Sequence, residues 1–426
     1  MRIRVPGDKS LTQRALIFSA LADGESELSG LLFGGDAAST AQALRGLGAD
    51  IPPLPRDGSA IRVSGLGLRG LSAPSEPLDL GNSGTGTRLL CGVLAGCDFV
   101  ARLDGDASLR SRPMKRVTDP LEVMGARFTS EEEAGRLPLT VQGRVPLEPI
   151  DWSSTVASAQ VKSAILLAGV TGGAFALVTE PARSRDHTER MLRAVGVPVV
   201  SHAVADGWRV ELREAPERID PLAFDIPGDI SSAAFLLAFG ALGGAGGELT
   251  VENVGLNPTR TGFLSVLRRM GAVIDVDEHS DGVEPVGAVT VRPSGLTGTV
   301  VEGSEIPAVI DELPLIAALG AVAEGVTEIR GAEELRAKES DRIHAMVYNL
   351  RALGAEVEEL PDGLVVSGSD RALVGPVLPY HDHRIVMAFS VLAALPRHNI
   401  DVLAPSLADV SFPGFRELLH RVSTTS

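Results

Sequence analysis

The sequence predicts an α/β fold of two similar domains with three repeat units each, and three observations carry that expectation. A self-similar piece recurs along the chain: an amphipathic helix, a Gly followed by a small residue, then a β-type run. Val5-Pro-Gly-Asp-Lys-Ser10 is echoed by Ile226-Pro-Gly-Asp-Ile-Ser231, and each leads into an apolar helix. Hydrophobic residues make up 44% of the chain but aromatics only 4%, with 47 glycines, which describes a core of small and aliphatic side chains and many tight turns.

The repeat reads Leu44-Arg-Gly-Leu-Gly-Ala49, Leu121-Glu-Val-Met-Gly-Ala126, Leu192-Arg-Ala-Val-Gly-Val197, Leu267-Arg-Arg-Met-Gly-Ala272 and Leu350-Arg-Ala-Leu-Gly-Ala355. The glycine at its fifth position falls at 48, 125, 196, 271 and 354, in steps of 77, 71, 75 and 83 residues, so the 426 residues hold about six units. Gly at that place suits a left-handed helix C-cap. Runs such as Val273-Ile274-Asp275-Val276 then read as strands. The last unit ends in the helix beginning at Phe415, which lacks the Gly. Pro-Gly before Asp8 and Asp229 marks a turn at a helix start. The two halves become domains of residues 9–226 and of 1–8 with 227–426, with short links near 8 and 227 placed to act as hinges.

Net charge is -16, which argues against a broad nucleic-acid or anionic-membrane surface. Any anion site is then a local cluster of Arg and Lys in an acidic body. Cys91 and Cys97 have no metal-ligand spacing. His381 and His383 would share one face of a strand, but no further Cys/His cluster completes a zinc site, so no metal is expected. No signal peptide is read at Met1-Arg-Ile-Arg, and Gly and charged residues break the apolar runs. A cytoplasmic location is expected.

The chemistry-bearing segments come in order. Gly7-Asp-Lys-Ser-Leu-Thr-Gln-Arg14 sets Lys9 and Ser10 at a helix start with Arg14 one turn on; Ser10 as a simple cap is the bland reading. The echo has Ile230 where Lys9 stands, so the cation belongs to the first half alone. Gly81-Asn-Ser-Gly-Thr-Gly-Thr-Arg88 is neither a Walker loop, having Thr87 where Lys is needed, nor a dinucleotide fingerprint, having Leu89 where Gly is needed. It still offers backbone N–H groups and Arg88 to a smaller anion. Arg110 and Arg112 lie in a loop, because Pro113 disfavours helix just before it. Ser158, Gln160 and Lys162 are the polar residues opening an apolar helix, suited to hydroxyls or a phosphate. Arg183-Ser-Arg-Asp-His187 opens another helix. Asp311, inside an apolar run, is a helix cap or a base with an adjusted pKa. Glu334-Leu-Arg-Ala-Lys-Glu-Ser-Asp-Arg342 puts Lys338 and Arg342 one turn apart at a helix start, with Glu339 beside Lys338 as a carboxylate–ammonium pair for proton transfer. Taken alone, such a run is a solvated charged face.

Gly7-Asp-Lys-Ser with Arg14, Gly81-Asn-Ser-Gly-Thr85, Arg112-Pro113, Ser158-Ala-Gln160, Lys338-Glu339-Ser-Asp-Arg342 and Asp382-His-Arg384 occur in one register. Together they resemble the 5-enolpyruvylshikimate-3-phosphate synthase (3-phosphoshikimate 1-carboxyvinyltransferase) family from end to end. The resemblance implies an inside-out α/β barrel of two domains, each of three βαβαββ units, closing on substrate. It implies enolpyruvyl transfer from phosphoenolpyruvate to the 5-hydroxyl of shikimate 3-phosphate in aromatic amino acid biosynthesis, by a monomer that needs no cofactor and is a target of glyphosate. By family role, Lys9, Ser10, Arg14, Ser158, Gln160, Arg185, Asp311 and Lys338 hold shikimate 3-phosphate. Lys9, Gly84, Thr85, Arg112, Gln160, Arg342 and Arg384 hold phosphoenolpyruvate, and Asp311, Glu339 and Lys9 are the catalytic candidates.

The chain departs from the family pattern at three places. Val410-Ser-Phe-Pro413 stands where a Lys is common, Ala159 replaces a serine, and Glu334 stands where many members have Asn. The family's sister enzyme, acting on UDP-N-acetylglucosamine, usually carries a Cys where Ala107 stands. A non-catalytic binding relative is disfavoured by the presence of Lys9, Asp311 and Glu339. An RNA-end-processing relative is disfavoured by the acidic charge.

Overall fold

The computed structural model describes residues 1–424. The chain divides into two compact units, one of residues Gly7–Ile226 and one of Met1–Pro6 with Pro227–Ser426. Among the described residues there are six small sheets. One unit's pattern shows what repeats. Leu78–Asp79 runs parallel to Val100–Asp104, with helix Gly84–Ala95 between them. Helix Lys115–Val123 follows, and the hairpin Arg127–Ser130 and Leu139–Gln142 folds back antiparallel. The sheets led by Ile150–Ser153 and by Val300–Val301 repeat this order. That is βαβαββ, as the resemblance implied.

The two repeats at the crossings exchange their leading strands. Arg2–Ile3 pairs parallel with Leu249–Gly255, and Ala223–Asp225 pairs parallel with Glu25–Ser29. The chain therefore starts in one unit, builds the other and returns. The last repeat keeps the parallel pair Val374–Val377 and Asn399–Val402 around helix His383–Ala393. It then ends in helix Phe415–Thr424 where the others have a hairpin.

The helices lie inside and the sheets outside in each unit. Every residue of Ile230–Ala241 and Leu313–Gly320 is buried, as is Ala159–Gly172 from Val161 onward. A helix apolar all round must be buried all round. The sheets alternate, Pro285–Arg292 between buried and half-buried, with the buried face on the helices. Small residues let those helices touch: a Cβ on Gly92 would sit 2.2 Å from the Ala164 carbonyl oxygen. The Gly- and Ala-rich, aromatic-poor composition is the sequence trace of that close approach.

All five repeat glycines have positive φ, from +82° at Gly196 to +103° at Gly125. Each closes the same pair of bonds. At the last of them Gly354 N–H donates to Arg351 O at 3.0 Å and Ala355 N–H to Leu350 O at 2.9 Å, the Schellman arrangement. Nothing lies within 4 Å of a Cβ built on Gly354, where φ is +91°. Gly354→Ala is therefore expected to cost only the left-handed backbone, about 1 kcal/mol. A denaturant midpoint measures it, and a loss of several kcal/mol would mean that the glycine does more than cap.

Candidate active site

In the 7–226 unit the first turns of three buried helices are tied together. Asp8 caps helix Lys9–Leu21, its Oδ1 accepting from Leu11 N–H at 2.8 Å, which leaves Lys9 and Ser10 in the opening turn. Lys9 Nζ lies 3.0 Å from Asp36 Oδ2. Arg14 is buried and donates to Thr188 Oγ1 at 2.8 Å, to Ser163 Oγ at 3.1 Å and to the Ser10 hydroxyl. Ser83 caps helix Gly84–Ala95, and its Oγ also accepts from Gln13 Nε2 at 2.6 Å. Gln160, on the third helix, fixes its amide between two partners: Arg88 donates to Oε1 at 2.8 Å and Nε2 donates to Thr85 Oγ1 at 3.0 Å.

Arg112 is buried, bonded to Asn82 and at 3.3 Å to Ser108 Oγ. A Cβ on Gly84 would lie 3.0 Å from a terminal nitrogen of both Arg88 and Arg112. Gly84, Thr85, Arg112 and Gln160 are thus brought together, with Arg88 as a fifth member. Helix N-termini, unpaired N–H groups and buried guanidiniums on one patch make an anion site.

Three expectations change in this unit. Arg110 ends a helical turn, Ala107–Arg110, capped by Asp106; Arg112 lies two residues beyond it, and the two arginines part company. Arg110 is half-exposed and forks onto Asp104 at 2.8 and 2.7 Å, leaving Arg112 alone facing the Gly84 patch. Lys162 does not open outward with Ser158 and Gln160. It is fully buried, 3.0 Å from Glu180 Oε2 and 2.8 Å from Glu189 Oε1. Burial alone would push its ammonium down, but the two carboxylates outweigh that and hold it above the ordinary lysine value. Ser158 precedes the same helix and donates its N–H to Glu180 Oε1 at 2.8 Å. Arg185, half-buried, stands in the loop before helix His187–Ala194.

In the other unit the charged run around Lys338 behaves differently from its sequence reading. Glu333–Ala337 is a 3₁₀ turn, Lys338 is extended, and the helix begins only at Arg342. Asp341 stops the earlier turn and caps the helix, accepting from His344 N–H at 3.0 Å. Lys338 and Arg342 therefore share no helix face; Lys338 Nζ lies 3.7 Å from Glu334. Arg336 is structural, reaching Asp341 at 2.8 Å and Glu359 at 3.0 Å.

Arg342 is the centre of this cluster. It is 1% exposed, its Nε donates to Asp382 Oδ2 at 2.8 Å, and its NH2 contacts Glu339. Burial penalises the guanidinium charge, yet Asp382 and Glu339 more than offset this and hold it firmly protonated. Burial likewise pushes Asp382 up, and Arg342 reverses that, leaving the carboxyl below its ordinary range. Asp382 does not lie on a strand with its neighbouring histidines. It caps helix His383–Ala393, accepting from Arg384 N–H at 2.9 Å, after Tyr380 and His381 at φ +51° and +56°.

Asp311 is the N-cap residue of neither neighbouring helix, Ile306–Val309 or Leu313–Gly320; it sits between them and faces three guanidiniums. Arg260 lies 3.5 Å and Arg384 3.7 Å from Oδ2, and Arg342 3.8 Å from Oδ1. Arg384 also donates to Asp311 O at 2.9 Å and to Ser231 Oγ at 2.6 Å. Sequence reasoning missed Arg260 and Asp229, paired at 3.1 Å. The Pro-Gly-Asp echo pointed at Asp229, but nothing in Asn257-Pro-Thr-Arg260 separates that arginine from a surface one.

The family model for EPSP synthase (3-phosphoshikimate 1-carboxyvinyltransferase) matches residues 1–419. The 3-phosphoshikimate 1-carboxyvinyltransferase of Alkalilimnicola ehrlichii is 49% identical over 98% of this chain and 92% of its own length. That of Desulfitobacterium hafniense is 46% identical over 99% and 95%. The solved structure of EPSP synthase from Acinetobacter baumannii superposes with a TM-score of 0.85 at 38% identity, covering 99% of this chain and 95% of that one. The enolpyruvyl transferase NikO from Streptomyces tendae, at 18% identity and a TM-score of 0.75, shares the fold. Matched from end to end by the family model and by relatives close to half identical, the chain belongs to the EPSP synthase family.

Proposed function

We infer that the chain transfers the enolpyruvyl group of phosphoenolpyruvate to the 5-hydroxyl of shikimate 3-phosphate and releases phosphate. The observation that carries the assignment of residues is the pair of guanidinium clusters, Arg88 with Arg112 around Gly84 and Arg342 with Arg384 around Asp311. Both substrates are anions, and planar guanidinium forks suit a carboxylate and a phosphate. Phosphoenolpyruvate takes Lys9, Gly84, Thr85, Arg112, Gln160, Arg342 and Arg384. Shikimate 3-phosphate takes Lys9, Ser10, Arg14, Ser158, Gln160, Arg185, Asp311 and Lys338.

The chemistry then needs three movements of charge. A proton delivered to C3 of phosphoenolpyruvate makes C2 electrophilic. The 5-hydroxyl attacks C2 as Asp311 accepts its proton, giving a tetrahedral intermediate. C3 then returns a proton, the C2–O bond to phosphate breaks, and the enolpyruvyl ether and phosphate are formed. Glu339 and Lys9 are the groups assigned to the C3 proton, and the arginines stabilise the charge that develops. Of the three departures, Glu334 meets this set directly, lying 3.7 Å from Lys338 Nζ. Phosphate release with shikimate 3-phosphate, compared with UDP-N-acetylglucosamine as acceptor, tests the reading. Turnover with the sugar nucleotide alone would overturn it.

Gly84 supplies a second test, because the space it leaves is bounded by two guanidiniums. Gly84→Ala is expected to raise the KM for phosphoenolpyruvate by about tenfold by displacing Arg88 and Arg112. Inhibition by glyphosate should weaken more than that. A variant inhibited as strongly as the wild type would remove Gly84 from the donor site. The same reading has the chain acting as a monomer, which sedimentation across a range of concentrations checks.

A further inference from the structure

Lys162 faces two carboxylates, so the buried cluster has one more negative charge than a simple ion pair requires. Glu180 and Glu189 are both essentially unexposed, and their surroundings differ. Glu180 closes strand Ala176–Glu180 and reaches two loops at once. Its Oε1 accepts from Ser158 N–H at 2.8 Å, just before helix Ala159–Gly172. Both of its oxygens accept from Ser184 Oγ, at 2.8 and 2.7 Å, in the loop that carries Arg185. Glu189 meets Lys162, and among the described residues neither of its oxygens has a hydrogen bond to either loop.

The far side of the second loop is pinned as well. Arg183 stacks over the Trp208 ring, 4.8 Å from its centroid, and donates to Asp186 at 2.8 Å. The position of Arg185 is thereby set by Ser184 on one side and by Arg183 and Asp186 on the other. Ser184 links the loop to the segment that carries Ser158 and Gln160, through Glu180 and through its own carbonyl, 3.5 Å from Lys162 Nζ.

We propose that Glu180 is a positioning residue that, anchored by Lys162, sets the spacing between the Ser158–Gln160 segment and the Arg185 loop, and so the fit of shikimate 3-phosphate. This rests on the reading above that those residues hold that substrate. Glu180 does not touch the substrate itself. It acts by accepting from one group in each loop, and Lys162 keeps the carboxylate where both can reach it. A glutamine at 180 has one acceptor oxygen and one amide donor. Whichever way it turns, the donor faces either Ser158 N–H or the Lys162 ammonium, and one link is lost.

The matched variants are Glu180→Gln and Glu189→Gln. Each leaves Lys162 with one carboxylate, so the charge balance inside the unit is the same in both, and only the first disturbs the loops. Calorimetric titration with shikimate 3-phosphate is expected to show about tenfold weaker binding for Glu180→Gln, the size of a lost charge-assisted hydrogen bond. The KM for shikimate 3-phosphate should rise in parallel, with kcat and the KM for phosphoenolpyruvate within about twofold of wild type. Glu189→Gln should bind as the wild type does. Equal binding by both variants, or equal weakening of both together with a drop in melting temperature, would overturn the proposal and leave a purely structural cluster. If Glu180→Gln does not fold, Ser184→Ala removes the loop contact alone; unchanged affinity there overturns the proposal equally. Wild-type protein that fails to bind shikimate 3-phosphate would sink the functional reading and this inference with it, whereas binding that is insensitive to Glu180 sinks the inference alone.

Discussion

Arg342→Met is expected to lower the unfolding free energy by about 3–5 kcal/mol and to abolish measurable turnover. The size follows from what is left behind. Asp382 is completely buried, and Arg342 Nε at 2.8 Å is the cation that keeps its carboxylate charged. Methionine fills much of the volume but supplies no charge, so the loss is that of a stranded carboxylate and not of a cavity. Arg342 also contacts Glu339 and lies near Asp311, so the two carboxylates proposed for catalysis lose their common partner in the same step.

The effect carries a pH signature with a definite sign. In the wild type the Asp382 carboxyl is held below its unfolded value of about 3.9, so its contribution to stability is present above that pH and lost as pH falls through the folded value. Without Arg342, burial and the neighbouring Glu339 remain, and both push the carboxyl up. Its contribution is then present below about pH 4 and lost as pH rises. The destabilisation by Arg342→Met should therefore be small near pH 4 and full at pH 7, and Arg342→Met/Asp382→Asn should recover most of it. Denaturant midpoints across that range measure it. A loss independent of pH would mean that packing, and not the stranded charge, sets the cost.

The contrast between Lys162 and the repeat glycines shows what a sequence reading reaches. Helix caps are local: a Gly after an amphipathic run closes two bonds within six residues, and all five such glycines adopt the left-handed backbone that their spacing implied. Within that local frame the cap still falls two residues from where the sequence suggests it: Asp8 caps the first helix, as Asp229 caps its echo, and Ser10 lies in the opening turn. Lys162 is not a local problem. Its helix is buried on every side, so hydropathy marks no outward face, and Ser158, Gln160 and Lys162 read alike. The direction of Lys162 is decided by Glu180 and Glu189, which return from a strand and a helix elsewhere in the unit.

The Lys338 segment failed for a different reason. Its charges were read as the first turn of the following helix, while Asp341 is a better cap than it is a helix interior residue. Arg260 had no local signal, since its meaning comes from Asp229 and Asp311 alone. The candidate site residues come from motifs that carry the resemblance, whereas their partners (Arg88 for Gln160, Asp36 for Lys9, Asp382 for Arg342) required the fold.

Glu339→Gln is expected to reduce kcat by about 10²–10⁴, with both KM values within a few-fold of wild type. The amide keeps the shape of the carboxylate and can still accept from Arg342, so the cluster around Asp382 and Asp311 stays in place. What it loses is the capacity to give and retake a proton, which the reaction demands at C3. Lys9 is the rival for that task, and its surroundings argue for binding: its ammonium is paired with Asp36 at 3.0 Å beside a helix N-terminus, an arrangement suited to an anionic ligand. Lys9→Arg should accordingly raise both KM values more than it lowers kcat. Solvent deuterium incorporation at C3 of phosphoenolpyruvate, in the presence of shikimate 3-phosphate, separates the two groups directly. It should vanish in Glu339→Gln and persist in Lys9→Arg at saturating substrate. The reverse pattern would transfer the proton to Lys9 and leave Glu339 as the partner that orients Arg342.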